Sequence, residues 1–266
     1  MKTENIKETL SADRTKHGLC GLFGIGFLAL ALPAAAEPMT FWTGIVLGDY
    51  MYPSHELHHF VLGAVFSILL LGVIVQAIRP ANRIGALHSS IIIWSSLTVV
   101  FTIGGEFSPI HLVLLGLLLG MAGTHPAGAS QVPSRNTLDR RMATLAAVTA
   151  VGALAFASVE LMAHFGAGDS HVEFGHYLFM ATAGVSIAGL TLYGSFRGIG
   201  WRFPAYASVF LMAVIGFVSV VYPGAEQGSS LGVVIGIVVV VWAVTFVVVA
   251  ERRRFLGDST VEKSSV

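Results

Sequence analysis

Ser54-His55-Glu56-Leu57-His58-His59-Phe60 opens an apolar run that continues Val61-Leu62-Gly63-Ala64-Val65-Phe66 and reaches Ile78. Apolar residues occupy every face of this run, not one stripe. A helix of that kind is buried in a large core or crosses a membrane. About 20 such residues span the roughly 30 Å hydrocarbon layer of a bilayer. The run therefore reads as a membrane helix whose mouth carries three histidines and a glutamate. A related stretch, His171-Val172-Glu173-Phe174-Gly175-His176-Tyr177, opens another apolar run in the second half of the chain.

The rest of the 266 residues agree. They are 55% hydrophobic and 11% charged, against about 25% charged in an ordinary soluble domain. Lysines and arginines number 15, as do aspartates and glutamates. The net charge of zero leaves no basic field to attract nucleic acid. The single cysteine, Cys20, excludes an intramolecular disulfide and a multi-cysteine metal site.

The apolar runs predict eight spans, over Gly18–Ala36, His58–Ile78, Ile84–Ile103, Pro109–Gly123, Met142–Phe165, Phe174–Phe196, Phe203–Tyr222 and Leu231–Ala250. The fold class expected is an all-α, polytopic membrane bundle. Leu32-Pro33-Ala34-Ala35-Ala36 also resembles a small-residue cleavage site, so residues 1–36 are open to reading as a signal peptide or a retained first helix. Residues 37–54 form an aromatic loop with Phe41, Trp42, Tyr50 and Tyr52, suited to a membrane interface.

All 15 lysines and arginines fall in 1–17, 79–83, 124–141, 197–202 and 251–266. These segments alternate along the eight-span order. Positive residues favour the cytoplasmic side, so both termini are expected there, in a multi-pass protein of the cell membrane. The expected partner is the lipid bilayer, with respiratory-chain or other membrane subunits as further candidates.

The two quoted stretches also imply a repeat. Glu56-x-x-His59 and its helix ending at Arg79 match Glu173-x-x-His176 and its helix ending at Arg197. Arg83 matches Arg202, and Glu106 matches Glu226. The expected organisation is a tail (1–17), a four-helix repeat (18–123), a cytoplasmic linker (124–141), a second four-helix repeat (142–250) and a tail (251–266). An even number of helices per half makes the repeats parallel.

Seven of the ten histidines then lie at the outer surface, together with Glu56, Glu106, Glu160, Glu173 and Glu226. No basic residue is there to pair with these carboxylates. Histidine and carboxylate without a cation attract metal ions. His55-Glu56-Leu57-His58-His59 fits the zinc-protease pattern, but the second half repeats only Glu-x-x-His. Glu56 with His59, and Glu173 with His176, are thus the expected ligand pairs. His55, His58 and His171, at the loop edge, read as solvated. Glu160 and His164 form a further i, i+4 pair.

An eight-helix chain with a four-plus-four repeat, Glu56-x-x-His59 opening the second helix and His111 near the start of the fourth resembles haem A synthase. The turn Gly104-Gly105-Glu106-Phe107-Ser108-Pro109, followed by Ile110-His111-Leu112, is similar to that family's corner between the third and fourth helices. The resemblance implies haem as cofactor and an oxidoreductase activity or electron transfer. It also implies one site of Glu56, His59 and His111, with Glu56 catalytic, and His176 as half of a second site. Phe60 and Tyr177 stand where the family usually has arginine, and the last helix has no histidine. Two other readings stay open. Glu56, His59, Glu106, Glu173, His176 and Glu226 make up the ligand inventory of a carboxylate-bridged di-metal bundle, for iron, copper or manganese. A transporter or structural membrane subunit is the non-enzymatic alternative.

Overall fold

The computed structural model describes residues 15–33, 35–36, 54–77, 83–126 and 137–261, with the side chains of 225 and 253–261 excepted. The aromatic loop residues, Arg79 and the middle of the 124–141 linker lie outside this set. Nine α-helices follow in chain order among these residues. They are α1 (Thr15–Pro33), α2 (Glu56–Ile74), α3 (Ile84–Ile103), α4 (Pro109–Gly123), α5 (Arg140–Gly166), α6 (Ser170–Glu173), α7 (His176–Gly194), α8 (Arg202–Val221) and α9 (Gly232–Val261). No strand occurs among the described residues.

Seven of these helices are long and apolar enough to cross a membrane. The expected fourth span, α4, keeps its bounds but has only 15 residues. At 1.5 Å per residue it is about 22 Å long, shorter than the hydrocarbon layer. The four-residue α6 was not foreseen.

The centre is built from α2, α3, α7 and α8, which pack on one another. Most of their surface is buried, whereas α1, α5 and α9 leave most of theirs exposed. α5 lies against α7, α9 against α8, and α4 against α3. The exposed side chains of the outer helices are large and apolar, including Leu22, Ile25, Val151 and Val234. Such a surface suits lipid. At the closest approaches between helices the contacts are small or hydroxylated, which lets backbones come close. Ser90 Oγ on α3 donates to Leu69 O on α2 at 2.8 Å. Gly216 on α8 and Gly236 on α9 face each other, and a Cβ on either would sit 2.7 Å from the other's carbonyl oxygen.

The two ends of the bundle differ in chemistry. At one end Asp139 caps α5 by accepting from Arg141 N and Met142 N. The Arg197 Nε atom lies 2.8 Å from Asp139 Oδ2, and its Nη2 donates to Ala250 O. Arg202 pairs with Glu251 at 2.8 Å, and Tyr206 donates to the same carboxylate. At this end too, His125 Nε2 meets Gln76 Oε1, and His88 meets the Tyr193 hydroxyl. The histidine-rich stretches sit at the other end, where α2, α4, α7 and α9 begin.

Candidate metal centre

His55 precedes α2 and accepts, through its carbonyl, from His59 N. His55 and His58 are three residues apart and share one helix face. Asp169 caps α6 by accepting from His171 N at 3.1 Å. Gly175 then takes a left-handed φ of 66°, a conformation that residues with a Cβ rarely adopt. This kink separates α6 from α7, so His171 approaches the start of α2 from the short α6 and His176 from the first turn of α7.

The result is one cluster of four imidazoles, from His55, His58, His171 and His176. One nitrogen of each lies within 4.8 Å of the others, and all four residues are buried. Ring centroids are 4.6 Å apart for His55 and His171, 4.7 Å for His55 and His176, and 4.9 Å for His58 and each of His171 and His176. His55 Nδ1 and His176 Nδ1 are 2.9 Å apart. A tetrahedral ion with bonds of about 2.0–2.1 Å places its nitrogens about 3.3 Å apart.

The surroundings orient the rings. His58 Nε2 lies 2.8 Å from Ser229 Oγ, and the Ser229 hydroxyl donates to Glu160 Oε2 at 2.5 Å. With Glu160 ionised, the single serine proton goes to the carboxylate and Ser229 accepts from His58 Nε2–H. The lone pair of His58 then sits on Nδ1, which is buried with no hydrogen-bond partner. His171 Nε2 donates to Ser54 O at 3.2 Å, leaving Nδ1, 3.4 Å from Asp169 Oδ2. Metal-binding histidines usually have their second nitrogen held in this way. Burial lowers the pKa of His55, and His171 lowers it further against the opposing charges of Glu56 and Asp169. At pH 7 this imidazole is neutral, as a ligand must be. Burial alone would raise the carboxyl pKa of Asp169. The Tyr177 hydroxyl bond at 3.0 Å, together with His171 when that ring is protonated, outweighs it and holds the carboxyl below its usual range.

His55, His58 and His171 therefore do not stand solvated at a loop edge. They are buried, because α6 folds over the start of α2. His176 joins them. His59 is half-buried, its ring 5.3 Å from that of His176. Glu56 accepts from Gln227 Nε2 at 2.9 Å, while Gln227 Oε1 accepts from Leu57 N. Glu106, Glu173 and Glu226 are exposed. The four-histidine group is the one such set of metal-capable side chains among the described residues, and no carboxylate belongs to it. His164 bonds Gly104 O and not the cluster. Ser229, Gln227 and Asp169 were not expected to take part. The only signal for them was polar residues in loops at the histidine-bearing end.

His55 and His176 also border a cavity of about 310 Å³, together with His59 and His111. Its walls include Phe66, Trp94, Leu97, Phe101 and Phe179. Comparison with protein-family models, curated proteins and solved structures finds no match to this chain. The chemistry of the cluster has to carry the functional reading.

Proposed function

We propose that this chain is a membrane metalloprotein in which His55, His58, His171 and His176 hold one transition-metal ion. The observation that carries the reading is the convergence of four buried imidazoles whose outer nitrogens include one fixed by Ser229 and Glu160. An all-imidazole set suits copper, iron, zinc or nickel. Copper or iron fits best, because the cavity beside the cluster gives a small molecule room to approach a redox ion. The sequence distribution of lysine and arginine supports an outward-facing site in the cell membrane. A two-half organisation is supported by the packing of α2 on α8 and of α3 on α7. A two-fold relation between 18–123 and 142–250 would exchange these two contacts.

Elemental analysis of protein purified without chelator is the test. About one copper or iron per chain is expected, falling in His58→Ala and His171→Ala and retained in His59→Ala. Absence of bound metal, with no uptake of Cu(II), Fe(II) or Zn(II) on titration, would overturn the reading.

The cavity favours haem as a second reading, in keeping with the resemblance to haem A synthase. His59, His111 and His176 all border it. Haem propionates, however, call for cations, and among the described residues the lysine and arginine side chains, such as Arg197 and Arg202, lie at the opposite end. A Soret band that weakens in His111→Ala would favour haem over the bare ion.

A further inference from the structure

We propose that the cavity between α2, α3, α4 and α7 binds a lipid-soluble quinone. The place of that quinone beside a metal ion rests on the reading above; its occupancy of the cavity rests on the lining itself. The residues lining it include no lysine, arginine, aspartate or glutamate. A nucleotide, a sugar phosphate or a fatty-acid carboxylate would enter with its charge unpaired, at a desolvation cost of several kcal/mol. The walls are aromatic and aliphatic, and they suit a flat apolar ring. A volume of about 310 Å³ is at the low end of small-molecule sites, roughly 300–1,000 Å³. It has room for one substituted ring.

What selects a quinone over a plain hydrocarbon is the imidazoles. His111 Nδ1 accepts from Ser108 N at the start of α4. The proton of a neutral His111 is therefore on Nε2, the nitrogen left to meet a ligand. An N–H donor in an apolar cavity calls for a neutral acceptor such as a carbonyl oxygen. His59 and His176 border the same cavity from α2 and α7, and a ring with two carbonyls can reach both sides. Leu30, Ile110 and Phe174, which also line the cavity, are exposed at 47%, 40% and 62%. They mark a route on the lipid-facing side through which a bilayer-dissolved molecule can enter. A ring seated here lies directly against His55 and His176, which the cavity shares with the cluster.

Decylubiquinone titrated into the purified full chain, read by tryptophan fluorescence, tests this. Trp94 lines the cavity, so saturable quenching is expected and should be lost in Trp94→Phe. His111→Leu should weaken binding about tenfold, the worth of one buried hydrogen bond. Leu97→Phe, which narrows the cavity, should weaken it too. Quenching that rises linearly without saturation would overturn the proposal, as would saturation unchanged in both His111→Leu and Leu97→Phe. A Soret band in the purified protein would give the cavity to haem and overturn it as well. The wild-type titration decides alone where a variant does not fold. Saturable quinone binding without any metal uptake keeps the cavity proposal and removes the metal reading. Metal uptake without saturable quinone binding does the reverse.

Discussion

His58 and Ser229 are 171 residues apart in the chain and 2.8 Å apart in space. The serine is supplied by the connection ahead of α9, and its hydroxyl donates a hydrogen bond to Glu160 on α5. Three distant segments thus fix one imidazole. Ser229→Ala should leave His58 Nε2–H without its acceptor while the four imidazoles remain. Metal affinity should fall about 10–100-fold, the usual effect of losing an outer partner. Competition against a chelator of known affinity measures it. Ser229→Thr, which keeps the hydroxyl, should recover most of the loss. Unchanged affinity in Ser229→Ala would remove this relay from the account of the site.

The helices were legible in the sequence because run length and composition decide them. Ile84–Ile103 and Pro109–Gly123 are found with the bounds that the apolar pattern predicts. The set of converging histidines was not legible, for a physical reason. Glu-x-x-His favoured His59 and His176 because they hold matched positions in the two halves. Convergence depends instead on the left-handed Gly175 and the short α6, which bring His171 to His55 and His58. A periodic pattern carries no information about such a turn. Glu160 and His164 share a helix face, yet one bonds Ser229 and the other Gly104 O. Spacing showed that they were neighbours and said nothing about what each would meet.

The close approach of α8 and α9 gives a second expectation. A Cβ at Gly216 would stand 2.7 Å from Gly236 O and 2.8 Å from Val240 Cγ2. Neither helix can yield without losing its packing. Gly216→Leu should destabilise the fold by about 1–3 kcal/mol, as overpacking usually does. A drop in the thermal midpoint in detergent reads this, while Gly116→Leu, where no atom lies within 4 Å of the added Cβ, should leave it unchanged.

Sidedness is open to direct measurement. With Cys20 changed to serine, the chain has no thiol. Glu226→Cys, in an exposed position at the histidine-bearing end, should react with a membrane-impermeant maleimide in intact cells. Gly198→Cys, beside Arg197 at the basic end, should react only after the membrane is opened. The opposite pattern would place the metal centre on the cytoplasmic side and reverse the orientation inferred from lysine and arginine.

His125 supplies the pH expectation. It is 1% exposed at the end of α4, with Nε2 3.1 Å from Gln76 Oε1. Burial, with His88 and His17 nearby, lowers its pKa to about 4. The unfolded chain releases the same proton near 6.5. A group whose folded pKa is depressed makes the unfolded state the better proton binder at intermediate pH. Its contribution is therefore fully present above about 6.5 and is lost as pH falls towards 4. Thermal unfolding of chelator-treated protein should show a lower midpoint at pH 5 than at pH 7.5. His125→Gln keeps a donor for Gln76 but cannot titrate, so the variant should lose less between these two values. Equal losses in both proteins would show that the acid sensitivity arises elsewhere.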